Sequence, residues 1–114
     1  MDISEPKGRV LVIAGSDSGG GAGIQADIKA ITAMGGYAAT AITAITVQNT
    51  LGVSAIHPIP LDILKGQIDA VLDDIGADVI KTGILGTADV VTLVAERLEA
   101  CEPPIPLVLD PVMV

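Results

Sequence analysis

The sequence predicts an α/β fold, with three α/β/α layers built on a mostly parallel sheet. Three observations carry the prediction. The apolar residues Val10 to Ala14 run straight into Gly15-Ser16-Asp17-Ser18, a run of glycines and a helical pattern. A short all-apolar run bounded by turn residues marks a strand buried on both faces, as in a parallel sheet. The hydrophobic period then switches repeatedly between strand-like and helix-like, in the order β-α-β-α-β-α-β. Finally, 50% of the 114 residues are hydrophobic, yet Tyr37 is the sole aromatic. The core must therefore be aliphatic, which suits alternating layers of strand and helix.

Each element has its own signal. Met1 to Gly8 reads as a polar, frayed lead-in, and Arg9 opens the first strand. Gly23 to Met34 carries Ile24, Ile28 and Ile31 on one helical stripe, closed by Gly35-Gly36 as a C-cap. Tyr37 to Val47 is rich in Ala, Ile, Thr and Val with no breaker, so a single second strand is expected there, ending at Gln48-Asn49-Thr50. Gly52 to Pro58 reads as a short extended piece. Leu61 to Ile75 is the clearest helix, with Leu64, Ile68, Val71, Leu72 and Ile75 sharing a face. Asp78 to Lys81 is a short strand ending at Thr82-Gly83. Thr87 is the expected N-cap, with Asp89 in the first turn, of a helix reaching about Ala100. Pro103-Pro104 breaks the chain before a fourth strand, Leu107 to Leu109, which runs into Asp110-Pro111. No helix follows that strand before Val114, so the expectation is the N-terminal portion of a larger α/β protein, cut after its fourth main strand.

Composition excludes several classes. The net charge is −8 with no basic cluster, so a nucleic-acid backbone or an anionic membrane surface would be repelled. No apolar run approaches the length of a membrane span. The single cysteine, Cys101, has no internal disulfide partner, which fits a reducing, cytoplasmic setting. It reads as a residue near a helix end.

In open α/β sheets ligands sit at the carboxyl ends of the strands. Here those ends are Gly15-Ser16-Asp17, Gln48-Asn49-Thr50, Lys81-Thr82-Gly83 and Asp110, and one sheet edge would collect all of them. The glycines of the first loop allow a ligand close to the backbone, and the helix that follows aims its unpaired N–H groups back at the corner. A Walker loop is excluded, since no Lys follows these glycines. The dinucleotide fingerprint aligns only at Gly21, Gly23 and Ala26, well past the strand end, and Ile45 to Gln48 supplies no acidic residue where one belongs.

The stretches AGSDSGGGAGIQADIKA (Ala14 to Ala30), AITAITVQNT (Ala41 to Thr50), KTGIL (Lys81 to Leu85) and VLDPVMV (Val108 to Val114) closely resemble the hydroxymethylpyrimidine/phosphomethylpyrimidine kinases of thiamine biosynthesis, which have the ribokinase-like fold. The resemblance implies that residues 9–114 are the N-terminal part of a single kinase domain. It implies ATP and Mg²⁺ as cofactors, a small aminopyrimidine as substrate and a homodimer at full length. It also places the aminopyrimidine ring at the loop Gly15 to Gly21, with the backbone at Gly15 against the ring. Asp27 aligns with the family's acidic substrate contact, although a carboxylate there also complements the helix dipole. Gln48 aligns with the position that hydrogen-bonds the ring nitrogen and amino group, for which a carboxamide offers donor and acceptor side by side. Asp110 aligns with an acidic residue near the nucleotide phosphates and Mg²⁺, and its plain alternative is a turn residue before Pro111. Lys81 is either a phosphate contact or a structural residue closing its strand. The catalytic base and the anion hole are expected beyond Val114. Two alternatives stand beside this reading: a pyridoxal or pyridoxine kinase of the same superfamily, and a non-catalytic chain that binds pyrimidine.

Overall fold

The computed structural model describes residues 8–83 and 85–109. The expected lead-in therefore lies outside the described residues except for Gly8, as does Asp110. Four parallel strands form the sheet: β1 (Arg9–Ala14), β2 (Tyr37–Ile42), β5 (Val79–Thr82) and β6 (Leu107–Leu109), in the order β2-β1-β5-β6. Two further strands, β3 (Ala44–Asn49) and β4 (Gly52–Pro58), form a separate antiparallel hairpin. The helices are α1 (Gly23–Ala33), α2 (Leu61–Ala70) and α3 (Ala88–Glu99).

The central strand β1 explains the layers. Its side chains alternate between faces: Leu11 and Ile13 join Ala41, Leu64, Ile68, Ile80, Val90 and Val94 in one core beneath α2 and α3. Val12 and Ala14 pack with Ile24 of α1 on the other face. A strand buried on both sides is what its continuous apolar run demands. Parallel register sets Leu11 beside Ala39 of β2 and Ile80 of β5, so the three strands meet the α2–α3 core together.

Two expectations change. The single strand expected from Tyr37 to Val47 breaks at Thr43. Thr43 is buried, donating its N–H to Ala14 O at 3.0 Å and accepting from Ile59 N at 3.0 Å through its own carbonyl. No glycine or proline marks the break, because a tertiary contact makes it. On the outer edge of β2, the carboxamide of Gln67 on α2 accepts from Ile42 N at 2.9 Å and donates to Ile42 O at 3.1 Å. The helix expected over Leu61 to Ile75 also changes character, turning from α to π over Val71–Ile75. The wider turn closes with Gly76 N donating to Val71 O at 2.8 Å, and Gly76 then leaves at φ +75°, a conformation other residues resist.

The expected caps are present. Gly35 adopts φ +85° after α1, and Gly36 N donates to Ile31 O at 2.9 Å. Thr87 caps α3, its hydroxyl accepting from Val90 N at 3.3 Å. Arg97 of α3 reaches Asp69 of α2 at 2.8 Å, and Lys65 reaches the same carboxylate at 2.8 Å. The Lys65 hydrogen bond above all, with Arg97, holds the Asp69 carboxyl below its ordinary range against the opposing pull of burial. At the opposite edge, Arg9 binds Asp78 at 3.0 Å and also donates to Ile75 O. It thus ties the starts of β1 and β5 to the carbonyl end of the π turn, where a cation is favoured. Cys101 is a free, half-buried thiol just beyond α3, with Sγ 3.5 Å from Arg97 O. No helix among the described residues is long and apolar enough to cross a membrane.

Candidate functional site

A cavity of about 910 Å³ opens at the carboxyl ends of β1 and β5. The chain from Gly15 to Asp17, the start of α1, the hairpin, and the start of α3 at Gly86-Thr87 enclose it. Gly15, Asp27 and Gln48, far apart in sequence, all line it. Its walls are mixed, with Val53, Ile56 and Leu85 apolar and Thr43, Thr46 and Asp89 polar. That balance is typical of a small-molecule site.

The first loop is held open by one residue. Asp17 is 5% exposed, and its carboxylate accepts from Gly19 N at 2.8 Å, Gly21 N at 3.0 Å and Ala22 N at 2.8 Å. Its own N–H donates to Gln25 Oε1 at 2.8 Å. Ile24 N donates to Gly15 O at 3.0 Å. The N–H groups expected to aim at a ligand are therefore largely spent inside the protein. That part of the expectation is corrected: the corner is no vacant anion cradle, because Asp17 already occupies it. The signal was in the sequence, since an Asp two residues before a glycine favours a turn in which the carboxylate takes the glycine N–H.

Gly15 and Gly23 differ in kind. A Cβ at Gly23 would lie 2.6 Å from Gly15 O, on a backbone at φ +59°. A Cβ at Gly15 would meet only ordinary contacts, 3.6 Å from Ala44 O and 3.7 Å from Thr43 Oγ1. The fold requires Gly23 to be glycine but leaves Gly15 free to be larger, and Gly15 borders the cavity.

The hairpin is stitched to this loop. Ser16 N donates to Ala44 O at 2.9 Å, and Thr46 N donates to Ser16 Oγ at 3.1 Å. Thr46 Oγ1 donates to Ser16 O at 2.8 Å, and Gln48 N donates to Ser18 Oγ at 2.7 Å. Gln48 sits where the β3–β4 register shifts, between Val47 and Gln48. Its carboxamide oxygen lies 3.3 Å from Thr46 Oγ1. Gln48 thus reaches the cavity from the hairpin, not from the end of a main-sheet strand. Sequence reasoning found it at the right edge for a partly wrong reason. It missed Thr46, Val53 and Ile56, because an isolated hairpin wall has no signature beyond alternation.

Asp27 lines the cavity and pairs with Lys81 Nζ of β5. Both side chains are largely buried, so Lys81 anchors an acidic wall residue beneath α1 and does not itself line the cavity. Asp110 lies outside the described residues. Among the described residues no three His, Cys, Asp or Glu side chains converge as a metal site would need.

A strand–loop–helix corner over a parallel sheet, flanked by a hairpin beside a partly open cavity at the carboxyl ends of the strands, is the arrangement of ligand sites in open α/β proteins. Comparison narrows the class. Residues 17–114 match the family model for phosphomethylpyrimidine kinase, and the chain belongs to that family. It is 55% identical over 104 residues to the hydroxymethylpyrimidine/phosphomethylpyrimidine kinase of Mycobacterium bovis, covering 91% of this chain and 38% of the relative. The crystal structure of phosphomethylpyrimidine kinase from Clostridium difficile superposes with a TM-score of 0.88 at 46% identity, over 93% of this chain and 46% of that one. The pyridoxal kinase of Staphylococcus aureus, solved with AMP-PCP and pyridoxal, superposes with a TM-score of 0.81 at 41% identity, over 93% of this chain and 39% of that one. The three-layer fold is thus that of the ribokinase-like vitamin kinases. The chain spans about two-fifths of the length of the curated relatives it matches.

Proposed function

We propose that this chain supplies the substrate pocket of an ATP-dependent kinase, which phosphorylates the hydroxymethyl group of 4-amino-5-hydroxymethyl-2-methylpyrimidine and then its monophosphate on the way to thiamine diphosphate. The observation that carries the reading is the convergence of Gly15, Asp27 and Gln48 on one cavity. The ring lies against Gly15, where the absence of a Cβ leaves room. Gln48 pairs with a ring nitrogen and the exocyclic amine, acceptor to donor and donor to acceptor. Asp27, steadied by Lys81, accepts a further hydrogen bond from the substrate.

In the transfer, the hydroxymethyl oxygen forms a bond to the γ-phosphorus of ATP. The bond to the bridging β,γ-oxygen breaks, ADP leaves, and a base takes the hydroxyl proton. Such transfers depend on positioning and electrostatic stabilisation, and positioning is the part assigned to Gly15, Asp27 and Gln48. On this reading Asp110 and Mg²⁺ would serve the nucleotide side, as the family resemblance implies. The base and the anion hole belong to the part of the relatives that the match does not cover. The cytoplasm as compartment and a homodimer as assembly belong to the same proposal.

The similarity to a pyridoxal kinase favours one competing reading, with pyridoxal in the same pocket. Two measurements test the proposal. ATP-dependent phosphorylation is assayed on the 114-residue chain and on the chain extended by its downstream reading frame; the expected result is turnover of the pyrimidine by the extended form only. In that form, Gln48→Ala raises the pyrimidine KM while leaving that of ATP unchanged. Unpaired ligand atoms cost about 1–3 kcal/mol, or about 5- to 150-fold. Gln48→Glu is milder, because one acceptor survives. Turnover of pyridoxal in preference to the pyrimidine, or an unchanged KM in Gln48→Ala, overturns the assignment.

A further inference from the structure

The hairpin that carries Gln48, Thr46, Val53 and Ile56 into the cavity leaves the sheet at one place, between Ile42 and Thr43. Backbone groups alternate along a strand, so neighbours in β2 face opposite sides. Thr43 N faces β1 and donates to Ala14 O at 3.0 Å. The N–H and C=O of Ile42 therefore face the outer edge, where the described sheet has no further strand. Gln67 of α2 fills that edge. Its Oε1 accepts from Ile42 N at 2.9 Å and its Nε2 donates to Ile42 O at 3.1 Å. One side chain thus copies a single residue of a neighbouring strand and holds Ile42 at both of its polar atoms.

The consequence reaches the cavity through a short path. Immediately after Ile42, Thr43 O accepts from Ile59 N at 3.0 Å, closing the base of the hairpin, and Ala44 O accepts from Ser16 N at 2.9 Å. The pivot of the hairpin is therefore fixed on one side by α2 and on the other by the Gly15 loop. Gln67 is not among the residues that line the cavity, and α2 is otherwise an ordinary amphipathic helix with Leu64 and Ile68 in the core.

We propose that Gln67 is a positioning residue for the pyrimidine site, which fixes the pivot of the hairpin by clamping Ile42 and so steadies the hairpin wall that is stitched to the Gly15 loop. The proposal rests on the function proposed above, but half of its test does not. A hairpin displaced enough to unpair Gln48 from the ring is expected to cost about 5- to 150-fold in affinity. Gln67→Leu keeps the side-chain bulk and removes both hydrogen bonds. Gln67→Glu keeps an acceptor for Ile42 N but, when ionised, turns a carboxylate oxygen toward Ile42 O. Protonated, the same carboxyl regains an O–H donor and matches the carboxamide.

The test combines hydrogen exchange across residues 44–58 with calorimetric titration of 4-amino-5-hydroxymethyl-2-methylpyrimidine, each variant compared with wild type at the same pH. Gln67→Leu is expected to exchange faster across the hairpin while β1 and β5 keep their protection, and to bind the pyrimidine more weakly by about 5- to 150-fold. Gln67→Glu is expected to behave like Gln67→Leu near pH 8 and to return toward wild-type exchange near pH 5, an acid rescue that loss of general packing does not produce. Unchanged hairpin exchange in Gln67→Leu overturns the proposal. So does a uniform rise across β1, β5 and the hairpin without acid rescue in Gln67→Glu. If wild type itself does not bind the pyrimidine, the proposed function falls, and the exchange arm alone decides the role of Gln67.

Discussion

A methyl group added at Gly15 would rest 3.6 Å from Ala44 O, whereas one added at Gly23 would press to 2.6 Å from Gly15 O. The two glycines should therefore fail differently. Gly15→Ala is expected to fold with stability changed by less than about 1 kcal/mol, since a compatible backbone gains from the stiffer residue. It should nevertheless lose affinity for the pyrimidine, because the methyl group enters the cavity. Gly23→Ala is expected to lose more than about 2 kcal/mol, from left-handed backbone strain plus overlap with a carbonyl. Urea denaturation beside ligand titration separates the two, and a stable, fully binding Gly15→Ala would remove that glycine from the site. At this scale the sequence was informative wherever a side chain's task is local. Thr87 as a cap and the Gly35-Gly36 helix end followed from residue type. The work of Asp17 was harder to see. The spacing of Asp17 and Gly19 offered a turn, yet the loop was read as a ligand corner, and its three backbone partners make the carboxylate a loop organiser.

Elements ended where long-range contacts ended them. The strand beginning at Tyr37 had no internal breaker; the chain turns at Thr43, whose carbonyl accepts from Ile59 N, and Gln67 on another element holds Ile42 just before it. Propensity has no view of such a partner, so a single strand was the natural expectation. β1, β5 and the three helices were legible because each buries a continuous or periodic apolar set, and β6 because an apolar run follows Pro103-Pro104, although its side chains are exposed. The junctions between elements also carry a pH signature. Arg9 holds the Asp78 carboxyl down to about 2 by side-chain and backbone hydrogen bonds, and Asp78 in turn raises the Arg9 guanidinium. A carboxyl with a depressed folded-state pKa stabilises above its unfolded value, about 3.9, and that contribution fades as pH falls toward 2. Asp78→Asn should therefore show a shallower loss of stability between about pH 4 and 2 than wild type. The difference will be small, because the pair is exposed. Acid titration followed by far-UV circular dichroism reads it, and identical acid limbs would show that the pair contributes nothing to folding.

Across the whole molecule, the burial is lopsided. Leu11, Ile13, Leu64, Ile68 and Ile80 are fully buried, while Leu51 at the hairpin tip is 94% exposed and Leu109 on β6 is 67% exposed. The outer strand of the described sheet thus presents apolar side chains beside an unpaired edge, a combination that invites strand-to-strand association. The 114-residue chain is expected to self-associate at micromolar concentration, and Leu109→Lys to reduce this without lowering the melting temperature. Light scattering across a dilution series checks it, and a wild-type chain that stays monomeric would contradict the reading. The layer order and the position of the ligand edge were legible at this scale, because a parallel sheet with right-handed crossovers leaves few arrangements. The hairpin that walls the cavity was not, since nothing in alternation alone says whether a strand joins the main sheet or leaves it.

The seat that Asp17 takes at the head of α1 imposes a direction on whatever enters. With that carboxylate taking the N–H groups of Gly19, Gly21 and Ala22, and with Asp27 of α1 already paired to Lys81, the inner corner keeps no open cradle for a phosphate. A ring that acquires a phosphate must then keep it at the far end of the cavity, away from α1. A phosphorylated product that re-enters for a second round would thus dock head-first by its neutral ring, in the same orientation as the first. In the proposed reaction the order of the two ends would follow from which N–H groups are already taken at the head of α1.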